Sequence, residues 1–314
     1  MTRMITRRVL ALIPLAFLVT LVVWGLILMV PGDPALAIAG ESATAEQIEA
    51  IRTDLGLDDP IPVRYGRWLG DAVQGDLGTS LYTSYSVSDA LTERLPITLS
   101  LVAVSFFFAV IVGASIGVIA ASRKGSALDR FLTVGTSLGL AIPNFWLGLL
   151  LVTFFGLKLG WFPSGGYVPL EESVAGWIQS ITLPALTLSA AVAAEMARQM
   201  RSSMSDTLQK DFIRTHRAKG LRPRTIVGRY ALKNASMPVI TVAGLQIARL
   251  FGLATVVELI FNLNGVGQLA VDAVFKRDIP VIQGVVLVIT VIVLVVNLLV
   301  DVSYGIVNPK VRQQ

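Results

Sequence analysis

There is no cysteine in this 314-residue chain, and His216 is its one histidine. The first absence excludes disulfides and thiolate metal sites. The second leaves no set of imidazoles for a metal centre or for a nucleophile–base pair. No Gly-x-x-x-x-Gly-Lys-Ser/Thr segment occurs, so the loop that commonly cradles nucleotide phosphates is missing. An enzyme reading therefore has little to stand on. Charge is scarce too, at 15% of residues against 54% hydrophobic, with a mean hydropathy of +0.70. Aromatic and basic residues do not interleave, so the net charge of +5 does not call for nucleic acid.

What the chain does have is apolar length. A helix needs about 20 residues to cross ~30 Å of hydrocarbon. Six spans are read: Val9–Val30, Ile97–Ser122, Phe131–Leu157, Leu183–Met200, Met237–Phe261 and Ile279–Val307. The fourth is the weakest, with Glu195 and Arg198 near its end. The first follows Arg7 and Arg8 and precedes Ala35-Leu-Ala37, which resembles a signal-peptide cleavage site. Its apolar stretch exceeds the roughly 7–15 residues of a signal core, so a retained span is expected.

Charge orients these spans. Arg3, Arg7 and Arg8 precede the first; Arg123, Lys124 and Arg130 follow the second; Lys310 and Arg312 follow the last. The segment Pro31–Pro96 reverses the bias, with eleven acids against Arg52, Arg64, Arg67 and Arg94, a net charge of −7. Bases on alternate loops put both termini in the cytoplasm and this segment outside. Thr44 with Gln47 resembles a capping box ahead of Ile48, Ile51 and Leu55, and Gly56 is a helix stop. Pro60 and Pro62 then turn the chain before a stripe at Tyr65, Trp68, Leu69 and Val73, and Gly75–Gly78 is a further turn. The stripes are read as the core of a small external domain.

The loop Lys210–Pro238 carries Arg214, Arg217, Lys219, Arg222, Arg224, Arg229 and Lys233 between two spans. A short helix is expected from about Asp211 to Lys219. Asp211 suits its positive end, Gly220 takes the left-handed stop, and Pro223 prevents continuation. A short, capped, basic helix on the cytoplasmic side is a docking surface. Inside the spans, Arg249 and Glu258 are nine residues apart, hence on opposite faces with about 13 Å of rise between them. Asn297 and Asp301 share a face of the sixth span. Charge is costly in hydrocarbon, so these four are candidates for a translocation path or a subunit contact. For Glu258 and Asp301, near span ends, a capping or anchoring role is the stronger reading. Pro143 is expected to kink the third span, with Asn144 satisfying a freed backbone group.

The segments Arg214-Thr-His-Arg-Ala-Lys-Gly-Leu221 and Asn234-Ala-Ser-Met-Pro238 resemble the cytoplasmic signature, the EAA loop, of binding-protein-dependent ABC importer permeases. The likeness is to the B-type subunit of the dipeptide/oligopeptide/nickel family. Pro31-Gly-Asp-Pro34, Leu55–Pro60, Gly75-Asp-Leu-Gly-Thr-Ser80 and Pro96-Ile-Thr-Leu99 match as well. So do Glu258-Leu-Ile-Phe261, Gly265-Val-Gly267, Arg277-Asp-Ile-Pro280, and Asn297–Asp301 with Tyr304 and Pro309. In this order the segments are specific, and they run nearly end to end.

The resemblance implies an all-α integral membrane protein with six transmembrane helices in the type I ABC importer permease fold. It divides the chain into 1–30, an extracytoplasmic domain at 31–96, a permease core at 97–308 with its coupling loop at 201–236, and a cytoplasmic tail at 309–314. Asp211, Arg214, Thr215, Arg217, Ala218, Lys219 and Gly220 fall on the coupling helix that meets the ATPase. Small Ala218 and Gly220 are expected to let it approach closely. Implied partners are a C-type permease, two cytoplasmic ABC ATPase domains, an extracytoplasmic binding protein and membrane lipid. No cofactor is expected on this chain, since ATP and Mg belong to the ATPase. The implied location is a bacterial or archaeal inner membrane. Di- or oligopeptides lead as substrate, ahead of nickel, glutathione or oligosaccharide. A self-contained secondary transporter is the rival from another class, but no coupling-ion site or inverted repeat is evident. His216 departs from the family, which carries a small residue there, and a solvated bystander is expected.

Overall fold

The computed structural model describes residue 10 and residues 14–25, 34–39, 43–54 and 56–307, with backbone alone at 34, 37, 38, 54 and 301–307. Every regular element among the described residues is helical, and one isolated bridge joins Thr79 and Ser86. The chain divides into two compact units. One holds Pro96–Gln268 and Val295–Gln314 with the first five residues; the other holds Thr6–Leu95 and Leu269–Leu294.

In the first unit, α8 (Val174–Leu208) is the hub, packed by α6 (Ala127–Ala141), α7 (Asn144–Leu151) and α11 (Leu232–Phe261). Ser173 caps its start by accepting from the Gly176 amide at 3.1 Å. The helix α5 (Val87–Ser122) reaches α8 through Gly113 and Gly117. A Cβ on Gly113 would lie 2.6 Å from the Ala193 carbonyl oxygen, and one on Gly117 2.6 Å from that of Ala197. Small residues four apart let two backbones close on each other where lipid supplies no hydrophobic drive. At the far end of α8, Arg201 grips Asp129 bidentately at 2.6 and 2.9 Å. Asp129 is 3% exposed and also accepts from the Gly125 amide at 2.9 Å.

The expected third span is not one kinked helix. α6 and the Asn144–Lys158 segment, which continues α7 as a π-helix from Val152, meet at 100°. Ile142 is extended, as a residue before proline prefers, and Pro143 is the N-cap of α7 without a side-chain cap bond. Asn144 thus starts a helix instead of repairing one. Among the described residues four helices are long and apolar enough to cross a membrane, or five if the bent pair counts once. Of the first expected span, the stretch Pro14–Gly25 (α1) is described, and the remainder lies outside the described residues apart from Leu10. The helices also overrun the expected limits. α5 begins at Val87 and passes through Pro96, α8 runs from Val174 to Leu208, and α11 passes through Pro238.

The second unit contains α2 (Pro34–Ala39), α3 (Ala45–Asp54) and α4 (Ile61–Val73). The capping box is present: the Thr44 amide donates to Gln47 Oε1 at 2.9 Å and the Gln47 amide to Thr44 Oγ1 at 3.3 Å. Gly56 has φ +59 and ends α3 as a left-handed stop. On α4, Tyr65 is buried and Trp68 half-buried. Both meet Trp24 of α1, with centroids at 5.9 and 5.7 Å, and Tyr65 Oη shares a 2.8 Å hydrogen bond with Thr20. Val73 leaves the expected stripe and is 82% exposed, because it is the last residue of its helix.

Candidate functional site: a basic docking helix and two polar ties

The helix α9 spans Asp211–Ala218, one residue shorter than expected, and Gly220 follows with φ +74. Its two faces differ. Ile213 is fully buried, and the helix packs on the π-helical turn Ile226–Ala231 that precedes α11. His216 stacks on Tyr230 at 4.0 Å and meets Phe212 edge-on at 6.2 Å. It is half-buried, so it belongs to the seat of α9 and is not a solvated bystander. Ser203 Oγ donates to the Ala235 carbonyl at 2.8 Å, tying the end of α8 to the start of α11 beneath the loop.

The outer face is open. Arg214, Thr215, Arg217, Ala218, Lys219 and Gly220 are exposed, as are Arg222, Arg224, Arg229 and Lys233. Arg214 lies 3.3 Å from Asp211, but both side chains are mostly solvated, so this pair contributes little. A Cβ on Gly220 would touch nothing within 4 Å. Its requirement for glycine is backbone conformation, and the space around it is free. A groove of about 690 Å³ opens beside the helix, bordered by Arg123, Lys124, Arg214 and Arg217.

The four polar residues expected in the spans separate. Arg249 and Asn297 are exposed on α11 and on α13 (Ile279–Val307), and Arg249 has no ion pair among the described residues. The Asp301 side chain lies outside the described residues. Glu258 is fully buried, with its carboxylate committed to its own chain. It accepts from Thr98 Oγ1 at 2.6 Å and from the Gln268 amide at 3.0 Å, while the Val266 amide donates to Thr98 at 2.9 Å. A Cβ on Gly265 would stand 2.5 Å from Glu258 Oε1, and one on Gly267 2.5 Å from Thr255 Oγ1. Three separated segments, Pro96–Leu99, Glu258–Phe261 and Gly265–Gly267, therefore meet at one tie.

A second tie lies within the other unit. Asp278 accepts from Ser80 Oγ at 2.5 Å and from the Leu81 amide at 3.2 Å, and Gly78 sits under Pro280. This joins Gly75–Ser80 to Arg277–Pro280. Sequence reasoning named these segments without pairing them, because a tie between residues some 160 or 198 positions apart leaves no local period. The Asp129–Arg201 pair was missed as well. The α5–α8 approach was missed too, although Gly113-x-x-x-Gly117 is the signal in the sequence that points to it.

Residues 113–313 match the family described as the binding-protein-dependent transport system inner membrane component, and residues 1–102 match the N-terminal part of such a membrane component. The chain belongs to this family. It is a permease subunit of an ABC importer and a multi-pass inner-membrane protein. It is 41% identical over 312 residues to a putative peptide transport system permease protein of Brucella abortus, covering 99% of each chain. It is 42% identical over 313 residues to the glutathione transport system permease protein of Escherichia coli K12, again covering 99% of each. A probable peptide ABC transporter permease of Sinorhizobium fredii is 38% identical over 308 residues, with 98% of each covered. Among solved structures, an inward-facing methionine ABC transporter, MetNI, aligns with a TM-score of 0.57 at 20% identity, over 69% of this chain and 96% of that one. An amino acid ABC transporter aligns at 0.52 and 14% identity, over 69% and 94%. These likenesses give the type I importer permease fold.

Proposed function

We propose that this permease, paired with a second one of C type, forms the path for di- or oligopeptides delivered by an extracytoplasmic binding protein. Support for a peptide substrate comes from its full-length relatives, named for peptides and for glutathione, itself a peptide. The observation that carries the drive mechanism is α9. One face is fixed to its own chain by Ile213 and His216, while the other is left basic and open. A rigidly seated helix transmits a push, and an open basic face receives a partner. ATP and Mg are bound by two ATPase domains, and closure of these domains moves α9 and the helices on either side of it.

Both termini lie in the cytoplasm, and residues 31–96 form an external domain that helps to receive the binding protein. Arg249 lines the path or faces the second permease, because a charge this exposed in a membrane helix needs water or a partner. Asn297 and Asp301 are proposed for the same surface. Glu258 is assigned the structural tie. The decisive experiment reconstitutes both permeases, the ATPases and the binding protein in liposomes, and measures ATP-dependent uptake of a labelled dipeptide. Absence of uptake, with nickel or an oligosaccharide transported instead, would replace the substrate class. Arg249→Ala should change uptake with assembly intact; an unchanged rate removes it from the path.

A further inference from the structure

In the second unit, three of the four bases of the acid-rich segment are engaged. Arg52 lies 3.8 Å from Glu49, Arg67 donates to Asp59 at 2.6 Å, and Arg64 sits over the Trp24 ring at 5.9 Å. Arg94 is the exception. It makes no hydrogen bond, ion pair or ring contact among the described residues, although it is half-buried. Its neighbour Glu93 is spent on the Tyr85 hydroxyl, which donates to it at 2.8 Å. A guanidinium that has lost part of its water and gained no carboxylate is primed to bind one.

Arg94 lines a cavity of about 380 Å³ inside this unit. The turn carrying Tyr82 and Tyr85 forms one side, and Leu269, Asp272 and Ala273 of α12 (Val266–Lys276) form another. Asp278 also lines it, but its two oxygens already accept from Ser80 and Leu81. Asp272 is exposed, with no ion pair among the described residues. The cavity thus offers one half-buried unpaired guanidinium, the exposed ammonium of Lys276, one unpaired carboxylate, two aromatic rings and an apolar patch. Its volume falls in the roughly 300–1,000 Å³ range of small-ligand sites.

We propose that this cavity receives a short zwitterionic peptide, with Arg94 holding its terminal carboxylate, Asp272 facing its ammonium group and the two tyrosines flanking its side chains. The proposal rests on the peptide reading above and adds a site for it outside the membrane path. A net charge of −7 over residues 31–96 repels carboxylates. In that setting Arg94 is the half-buried cation of the cavity, and Lys276, which also lines it, is exposed and solvated, so the guanidinium is the stronger point for a peptide C-terminus and sets its orientation. The planar fork of Arg94 pairs both carboxylate oxygens, so an amidated terminus loses the charge-assisted pair.

The test uses the assembled permease–ATPase complex in nanodiscs without the binding protein. It measures binding of alanyl-alanine and of its C-terminal amide by titration calorimetry or saturation-transfer NMR. The free acid should bind about tenfold more tightly than the amide, the scale of one charge-assisted pair. Arg94→Gln should bring the acid down to the amide, Arg94→Lys should keep part of the preference, and Arg67→Gln should leave it whole. An unchanged preference in a folded Arg94→Gln complex overturns the proposal. So does a loss of binding-protein capture with peptide preference intact, which would make Arg94 a protein contact. Dipeptide uptake by the full system is scored separately. Uptake without any Arg94-dependent preference sinks the site alone. An Arg94-dependent preference without uptake sinks the peptide-import reading and leaves a carboxylate site.

Discussion

α8 and α13 are both long enough to cross a membrane, yet they solve different problems. α13 is the more apolar, with a mean hydropathy of 2.9 in its best window, and only 28% of that window is buried by its own chain. α8 reaches only 1.4, and 72% of its window is buried. The weakest apolar signal in the sequence therefore belongs to the helix at the centre of the first unit. A helix facing hydrocarbon must be apolar all round. One surrounded by other helices needs small residues and satisfied polar groups instead. Ser180, Thr187 and Ser189 are buried on α8, and they return their hydroxyls to the carbonyls of Trp177, Leu183 and Leu186 at 3.0, 2.8 and 3.1 Å.

The contrast can be broken most directly where α5 touches α8. Gly117→Leu has nowhere to put its side chain, since even a Cβ would meet the Ala197 carbonyl oxygen and Met200 Cβ at 2.6 Å. Moving two backbones apart should cost about 3 kcal/mol or more, at or beyond the top of the usual overpacking range. The variant should yield little folded protein and a markedly lower melting temperature in detergent. An unchanged melt would mean that the α5–α8 approach is not close.

Next in size is Asp129→Ala, which leaves the Arg201 guanidinium facing a buried, empty site. Losing one partner of a fully buried pair costs about 3–5 kcal/mol. The Arg201 side chain is 33% exposed, so water recovers part of this, and about 2–3 kcal/mol is expected. The double variant Asp129→Ala/Arg201→Leu should regain stability over the single one. A double variant that melts lower still would show that the pair contributes more than mutual neutralisation.

The same contrast explains what was readable beforehand. Exposed membrane helices announce themselves, so α13 has the expected bounds Ile279–Val307, and α5 and α11 differ from expectation only at their ends. The expected spans begin at Ile97, just after Pro96, and at Met237, just before Pro238, whereas both prolines lie inside helices that start earlier, at Val87 and Leu232. In a membrane a proline's freed carbonyl finds other partners. The loop helix α9 was legible because its signals are local: Asp211, Gly220 and Pro223 in one short run. Pro143 was noticed, but the 100° turn it marks depends on what α7 packs against. Glu258 looked like a charge in a membrane and proved to be the acceptor for a turn ten residues on and a threonine 160 residues back. Pairings at that separation are set by the packed fold.

Gly220 sharpens the comparison, because it needs glycine for a reason opposite to that of Gly117. Space around it is free, and only φ +74 excludes a side chain. Gly220→Val should cost about 1–2 kcal/mol locally and leave the helices of the bundle in place. Gly220→Asn, which tolerates the left-handed region, should be milder. In the reconstituted complex the valine variant should assemble but lose most stimulation of ATP hydrolysis by the loaded binding protein. Full stimulation in Gly220→Val would show that the helix stop plays no part in coupling.

The smallest effect belongs to α13. Val291 is 46% exposed, and Val295 one turn on is 48% exposed, so this stripe is not covered by the chain itself. Lipid tails are as apolar as valine, and removing two methyl groups there gains and loses almost nothing. Val291→Ala should therefore shift stability by less than about 0.5 kcal/mol in the isolated chain. Carried out on the assembled transporter, the same substitution distinguishes two neighbours. If lipid covers the stripe, the complex melts as the wild type does. If the second permease packs there, the complex loses stability while the isolated chain does not, and α13 joins α8 as a helix whose partners decide its composition.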